Sequence, residues 1–387
     1  MKIKVKPEDF IVDEEAKIEF KRNGKFKVYL LTKKGFNTID VFINLSKKFN
    51  IPFKKFAYGG RKDRYGLTTQ YITVEGIRLK DVIEKSFKLS YLGDTDRPMG
   101  PDLILANEFK ITIRDLQEEE IEHALRQLEF VKEYGYPNYF DDQRFGNYSR
   151  QQGFFAERLV KGKFNGSLKV YLTAVHPQDK KAEKWRKQLF FNNWRDWHKC
   201  LNLAKTSFEK EVFFVLLKGG NKSFLSALNL IPKDELSILI FSYQAYLWNQ
   251  LVERVVRFYN KDLLECRGNY WSYFFYNSNE KFDHLKNLVI PLASQKSEMP
   301  DILTDRIYKE ILKERGLKPA SFNLRKFRKV YFKPTKRESV VIPQIKNVLV
   351  SSDEIYEGRK TLYLHFRLPR GSYGTMLIKR LMAKECL

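Results

Sequence analysis

Cysteine and histidine are scarce in this 387-residue chain, at 3 and 5 residues. Cys200, Cys266 and Cys386 are odd in number and far apart, which argues against a disulfide framework and for a reducing, cytoplasmic setting. With no CxxC and no HxxxH pattern, a structural zinc site has no support and no metal is expected. Neither a GxxxxGK loop followed by Ser or Thr nor a GxGxxG turn occurs, so no nucleotide cofactor is expected. No apolar run approaches the roughly 20 residues of a membrane span. The first residues, MKIKVKPEDF, carry no apolar signal region, so neither a membrane partner nor a secretory route is expected. Tandem repeats and low-complexity linkers are absent.

What the chain does have is positive charge and aromatic bulk. Lys plus Arg number 71 against 47 Asp plus Glu, a formal net charge of +24. That excess points to a polyanionic partner, nucleic acid or an acidic membrane surface. The chain is 43% hydrophobic and 15% aromatic, which excludes disorder over most of its length. At roughly 150 residues per domain, two or three domains are expected.

Period and turn residues outline an α+β pattern at both ends. Residues 25–31 alternate Phe26, Val28 and Leu30 with Lys25, Lys27 and Tyr29, a half-buried strand with Phe26, Val28 and Leu30 inward. Asn37-Thr38 caps a helix to about Phe49, ended by Asn50-Ile51-Pro52. Residues 69–75 read as a strand and 117–131 as a helix with acidic residues in its first turn. The middle is helical and basic. Residues 178–200 hold seven Lys or Arg interleaved with Trp185, Trp194 and Trp197. A long helix is expected over 233–259, and a second basic–aromatic stretch runs from Leu324 to Arg337. Leu362, Leu364, Phe366 and Leu368 alternate as a strand, and after the turn Pro369–Gly374 a last helix follows.

Three stretches could carry chemistry. Asp63 lies in GGRKDRYG, where Arg61, Lys62 and Arg64 stabilise its ionised form. A carboxylate held against a polyanion weakens binding unless it acts on the substrate, for instance as a nucleophile; the plain reading is a turn residue bonding its own backbone. In NYFDDQRFG, Asn138 can read a base edge, Phe140 can stack on it and Arg144 can bind phosphate, or the whole can be a packed corner. In LPRGSYGT, Tyr373 is a possible stacking residue, or the segment is a strand-to-helix turn. The pair Asp141-Asp142 gives a third class, a metal-dependent nuclease, but adjacent side chains need not converge.

Taken together these stretches resemble the TruD family of tRNA pseudouridine synthases. The matching segments, in the family's order, are PEDFIVDE (7–14), KKGFNT (33–38), GRKDRYGLTTQ (60–70), PNYFDDQRFG (137–146), SYQAYLWN (242–249) and LPRGSYGTM (368–376). The resemblance implies an α+β fold, the pseudouridine synthase catalytic domain, circularly permuted, over residues 1–160 and 341–387. A TruD-specific insertion domain would occupy 161–340. It implies an isomerase that turns uridine into pseudouridine at position 13 in the D arm of tRNA without a cofactor, the base being flipped out. Asp63 falls on the catalytic aspartate and Lys4 on the basic residue that pairs with it. Phe10, Asn138, Phe140 and Tyr373 fall on the base-binding pocket. Arg61, Lys62, Arg64, Arg144, Lys184, Arg186, Lys187, Arg325 and Arg328 are the expected RNA contacts, and a monomer is expected. Arg61, Ala106 before Asn107, and Asp141 after Phe140 depart from the family's usual residues. The alternative from another class is a non-catalytic RNA-binding protein or RNA chaperone on a synthase fold.

Overall fold

The computed structural model describes residues 1–327 and 329–385. The chain forms two compact units, Met1–Tyr136 with Val341–Met382, and Pro137–Val340 with the residues from Ala383 on. The compact units divide at 136/137 and 340/341, where the sequence reading set domain limits at 160/161 and 340/341. The earlier first break follows from the Asn138–Gly146 loop, which is held by side chains of the second unit, as described below.

Among the described residues, the first unit is built on a nine-stranded sheet. Its strands are β1 (Phe10–Ala16), β2 (Phe26–Lys34), β3 (Phe56–Tyr58), β4 (Leu67–Glu75), β5 (Val82–Ile83), β6 (Phe87–Thr95) and β7 (Ile104–Leu116), with two later strands, Gln344–Ser352 and Lys360–Pro369. The order runs from Gln344–Ser352 through Lys360–Pro369, β7, β1, β4, β2 and β6 to β5, with β3 on β4. Only the β1–β4 pairing is parallel among those described. Helix α1 (Thr38–Phe49) closes one hydrophobic cluster, where Phe42 stacks on Phe56 at 5.3 Å. Helix α2 (Glu118–Tyr134) buries Ile121, Ala124, Leu128 and Val131.

Register decides what the sheet presents. Val12 is opposite both Thr68 and Phe109, and Lys33 is opposite Thr68. Directly paired residues share a face, as do residues two apart on one strand. One face therefore carries Phe10, Val12 and Glu14 of β1, Thr68 and Gln70 of β4, Leu31 and Lys33 of β2, and Asn107 and Phe109 of β7. This corrects the facing expected for β2. Leu30 and Phe26 are only half-buried, while Tyr29, Leu31 and Lys33 are fully buried with Val28. The polar members are tolerated because each finds a partner: the Tyr29 hydroxyl donates to the Leu79 carbonyl at 3.2 Å, and Lys33 has one described in the next subsection.

The N-terminal segment is pinned to this sheet by charge. Arg114 of β7 donates through Nε and Nη2 to the Asp9 carboxylate at 2.7–3.0 Å, and through Nη1 to Asp353 at 3.3 Å. All three side chains are nearly excluded from water. The neighbouring carboxylates hold the guanidinium pKa above its ordinary value, the hydrogen bonds from Asp9 being the largest cause. Lys2 exchanges both backbone hydrogen bonds with Arg114 at 2.8 Å. Asp9 also accepts the Lys6 N–H at 2.9 Å. Between these anchors Lys4 adopts φ +61°, a left-handed conformation costing a side-chain-bearing residue roughly 1–3 kcal/mol where surroundings enforce it.

The second unit is mainly helical. Its longest helix, Lys233–Tyr259, buries Leu236, Ile240, Leu247, Trp248, Leu251, Val252 and Val255. Around it lie shorter helices between Phe155 and Leu230, the helix Ile302–Glu314 and small sheets that include Leu263–Arg267 with Ser272–Tyr276. Among the described residues no helix is long and apolar enough to cross a membrane.

Removing Arg114 leaves two buried carboxylates without their cation. Arg114→Met is expected to destabilise the protein by about 3–5 kcal/mol, read as a lowered urea midpoint at pH 7. A shift below about 1 kcal/mol would contradict the role given to this cluster.

Candidate active site

The loop between β3 and β4 holds Asp63. Its two ends need glycine, because a Cβ on Gly59 would lie 2.3 Å from Ile104 Cδ1 and one on Gly66 would lie 2.4 Å from the Phe10 carbonyl oxygen. Gln70, fully buried, donates through Nε2 to the Gly60 carbonyl at 3.1 Å and accepts from the Thr38 hydroxyl at 2.9 Å. The Asp63 carboxylate divides its oxygens. Oδ1 accepts the Tyr65 N–H at 2.8 Å, the local turn bond of the plain reading, and Oδ2 accepts the Lys4 ammonium. The Asp63 carbonyl accepts the Lys33 ammonium. Turn residue and charged site are thus the same side chain, 12% exposed and reachable from solvent.

Lys4 is fixed on three sides. Its Nζ bonds Asp63, lies 4.2 Å from the centroid of the Phe10 ring, and its backbone is held by the Arg114 cluster. Phe10 meets Phe109 edge to face at 6.4 Å, and Phe109 stacks on Phe366 at 5.3 Å. Gly374 must be glycine because a Cβ there would sit 2.7 Å from Phe109. Tyr373, half-buried, is the N-cap of the helix Gly374–Leu381 that begins on this aromatic row. So the first unit brings Lys4 against both Asp63 and Phe10 and anchors the Tyr373 turn on Phe109, the ring next to Phe10.

The cations flanking Asp63 divide into two kinds. Arg61 and Arg64 are exposed, as expected of phosphate contacts. Lys62 is not: its side chain is 9% exposed and its ammonium pairs with buried Glu14 at 2.7 Å and with Asn107. The Lys62 ammonium, expected among the RNA contacts, is turned to the sheet face. A buried carboxylate on the sheet face draws it inward, since a buried charge must be paired.

The loop Asn138–Gly146 is a built structure within the second unit. Asn249 of the long helix receives the Phe140 N–H on Oδ1 at 2.9 Å and donates from Nδ2 to the Phe140 carbonyl at 2.8 Å. The Arg337 guanidinium donates to the Asn138 carbonyl at 2.6 and 2.9 Å and to its Oδ1 at 2.6 Å, and lies 4.2 Å over the Phe140 ring. Asn138 Nδ2 donates to the Glu338 carbonyl at 3.2 Å, so both ends of its amide have protein partners. Phe140 is 4% exposed, edge to face with Phe241 and Trp248. Arg144 lies over the Phe241 ring at 4.6 Å. Asp142 accepts the Asn269 N–H and the Tyr273 hydroxyl, both at 2.9 Å, which is a structural role. Among the described residues no group of three or more His, Cys, Asp or Glu could hold a metal ion.

Three of the expected clamp cations have partners within the protein. Arg186 pairs with Glu209 at 2.9 Å, Lys187 pairs with Asp179 at 2.8 Å, and Lys184 donates to the Pro177 carbonyl at 2.9 Å. Of the aromatics between them, Trp197 is buried and Trp185 is 65% exposed. Arg325 is exposed, beside buried Phe327 and Phe332. Arg328 lies outside the described residues.

Sequence reasoning placed none of Lys33, Glu14, Gln70, Thr38, Asn249, Arg337 or Arg114 among the catalytic or base-binding residues, reading Thr38 as a helix cap and Arg337 as the end of a basic stretch. The first five stand inside the matching segments, so position within a matched motif was their available signal. The pairings of Arg337 and Arg114 leave no local trace, because their partners are about 200 and 100 residues away in sequence.

Comparison with known proteins defines the class. A family model described as tRNA pseudouridine synthase D (TruD) matches residues 1–381. A tRNA pseudouridine synthase D of Aquifex aeolicus is 30% identical over 100% of this chain and 99% of its own length. A probable tRNA pseudouridine synthase D 2 of Methanocaldococcus jannaschii is 33% identical over 98% of this chain and 91% of its own. The crystal structure of a putative tRNA pseudouridine synthase D from Methanosarcina mazei superposes with a TM-score of 0.72 at 22% identity, over 98% of this chain and 93% of that one, and shows a shared α+β fold. The protein is thus an RNA-modifying isomerase. It belongs to the tRNA pseudouridine synthase D family.

The Asn249 clamp has a measurable consequence. Asn249→Leu removes the amide that bonds both the N–H and the carbonyl of Phe140 and leaves the carbonyl the longer Tyr273 hydroxyl bond at 3.4 Å, at a cost of about 1–3 kcal/mol. The thermal midpoint should fall, and hydrogen exchange over residues 138–146 should quicken. Unchanged exchange there would show that Asn249 does not hold the loop.

Proposed function

We propose that this protein converts uridine to pseudouridine at position 13, in the D arm of tRNA, with Asp63 as the catalytic carboxylate and Lys4 as its partner. The observation that carries the reading is the Asp63 carboxylate itself: fixed by one backbone N–H and one ammonium, reachable from solvent, and set in a chain with a formal charge of +24.

The reaction breaks the bond from N1 of uracil to C1′ of the ribose and forms one from C5 to C1′. The proton leaves C5 and N1 gains one, so atoms balance and no oxidant or cofactor is consumed. Asp63 acts at the sugar carbon or in proton abstraction, and Lys4 holds it oriented. The target must leave its stack, which costs a few kcal/mol in a duplex. Stacking on an aromatic ring, the role the family resemblance gives Phe140 and Tyr373, returns roughly 1–3 kcal/mol per base. Arg61 and Arg64 supply phosphate contacts beside the carboxylate, and the excess of cations gives binding that weakens steeply with salt. We assign the active form as a cytoplasmic monomer.

The test is to incubate an unmodified tRNA transcript carrying uridine 13 with the protein and to map pseudouridine by carbodiimide adducts and primer extension. A single stop reporting position 13 is expected. A stop at another uridine would overturn the position and keep the chemistry, and binding with no stop on several tRNAs would favour a non-catalytic RNA-binding protein.

A further inference from the structure

Beneath Asp63 the sheet face carries more positive charge than the site consumes. Apart from the exposed Arg61 and Arg64 of the loop itself, Lys4, Lys33 and Lys62 are the cations around it, and Asp63 and Glu14 the carboxylates. Lys4 is paired with Asp63 and Lys62 with Glu14. Lys33 is 0% exposed, and among the described residues it forms no ion pair; its ammonium meets the backbone carbonyl of Asp63. The other groups facing it are uncharged: Thr68 opposite on β4, Gln70 two residues on, and Phe87 opposite on β6. Lys34, next in sequence, points to the other face and pairs with Glu8 in solvent.

We propose that Lys33 is a positioning residue for the isomerisation, anchoring the backbone of Asp63 from below and keeping one surplus positive charge under the reacting nucleotide. The role rests on the function proposed above. An enclosed cation without a carboxylate is a poor element of stability and a good one of catalysis. It stabilises negative charge that arrives with a substrate phosphate or develops on uracil as its bond to the sugar breaks. Alternatives for a buried lysine are structural, but a structural lysine would be paired, as Lys62 is.

The free protein shows the cost of this arrangement. Burial lowers the Lys33 pKa to about 8, with Asp63 raising it and Lys62 lowering it further. A lysine with a depressed pKa in the folded state weakens the fold wherever it is charged. The penalty is in full below pH 8 and disappears as pH rises from there toward the ordinary lysine value of 10.5. Activity depends on the charged form and runs the other way, falling as pH rises through about 8. Stability and turnover therefore respond to Lys33 in opposite directions.

The test compares wild type with Lys33→Met and Lys33→Arg across pH 6–10, measuring kcat, KM, thermal midpoint and hydrogen exchange of the 59–66 loop. Lys33→Met is expected to lower kcat roughly 10- to 100-fold, the scale on which a small displacement of a reacting group acts, with KM within about threefold. It is expected to lose the alkaline limb near pH 8, to keep or raise the thermal midpoint at pH 7, and to speed exchange of the loop. Lys33→Arg, whose charge does not titrate in this range, should retain more of its pH 7 turnover at pH 9 than wild type retains. If the arginine does not fit, the Lys33→Met pH profile carries the same distinction. Wild-type kcat and pH profile in Lys33→Met would overturn the proposal, as would a fall in kcat matched by a fall in folded fraction. Should wild type itself fail to turn over tRNA, the functional reading falls, and loop exchange still decides whether Lys33 positions Asp63.

Discussion

The ammonium of Lys4 on the Asp63 carboxylate is the interaction on which the first unit depends, and two further lysines meet the loop or the face beneath it. The loop that carries Asp63 lies on a sheet face whose lysines point up from β2 and in from the loop itself. Glycine at 59 and 66 lets the loop descend to within contact of that face. Gln70 and Thr38 then fix its height. The remaining cation, Lys4, comes from a segment with no strand of its own, which explains why so much buried charge surrounds Arg114. That cluster adds little to stability beyond its desolvation cost; what it secures is the path of residues 2–9, and with it the strained conformation at Lys4.

Isolated buried charges would be a liability in such a place, and the protein limits them by pairing Lys4 with Asp63 and Lys62 with Glu14. Glu14 keeps Lys62 from competing for Asp63, and Asn107 takes another of its protons. In the second unit the same economy holds with uncharged partners. Asn249 and Arg337 occupy the backbone polar groups of Asn138 and Phe140, so the Phe140 ring is presented from a backbone that has no hydrogen bond left to seek. Both units place an aromatic ring against a cation, Phe10 under Lys4 and Phe140 under Arg337. A cation over a ring face is attracted by the ring's quadrupole.

Much of the frame was legible from residue order. The helices at 38–49 and 233–259 and the strand through Leu362–Leu368 follow from period and caps, because apolar residues make up most of the buried face of each. The strand at 26–34 misled because periodicity weighs residue type, and here a tyrosine and a lysine are the inward residues, each satisfied by a distant carbonyl. Asp63 stood out by its flanking cations, but its pairing with Lys4 was legible only through the family resemblance, since their 59-residue separation leaves no local trace. The pairing within the basic stretches was not legible either: Arg186 and Lys187 pair with Glu209 and Asp179, and composition carries no information on who pairs with whom.

The account stands on Asp63 acting chemically rather than holding a turn. Both roles use the same carboxylate, and an asparagine can keep the turn while losing the charge. The decisive measurement is tritium release from tRNA labelled at C5 of uridine, by wild type and by Asp63→Asn, alongside tRNA binding by both. Release by wild type and none by the mutant, with affinity within about threefold, is the predicted result, because an interaction used only in the transition state alters turnover and not binding. Sustained release by the mutant, or loss of binding in step with loss of release, would contradict it.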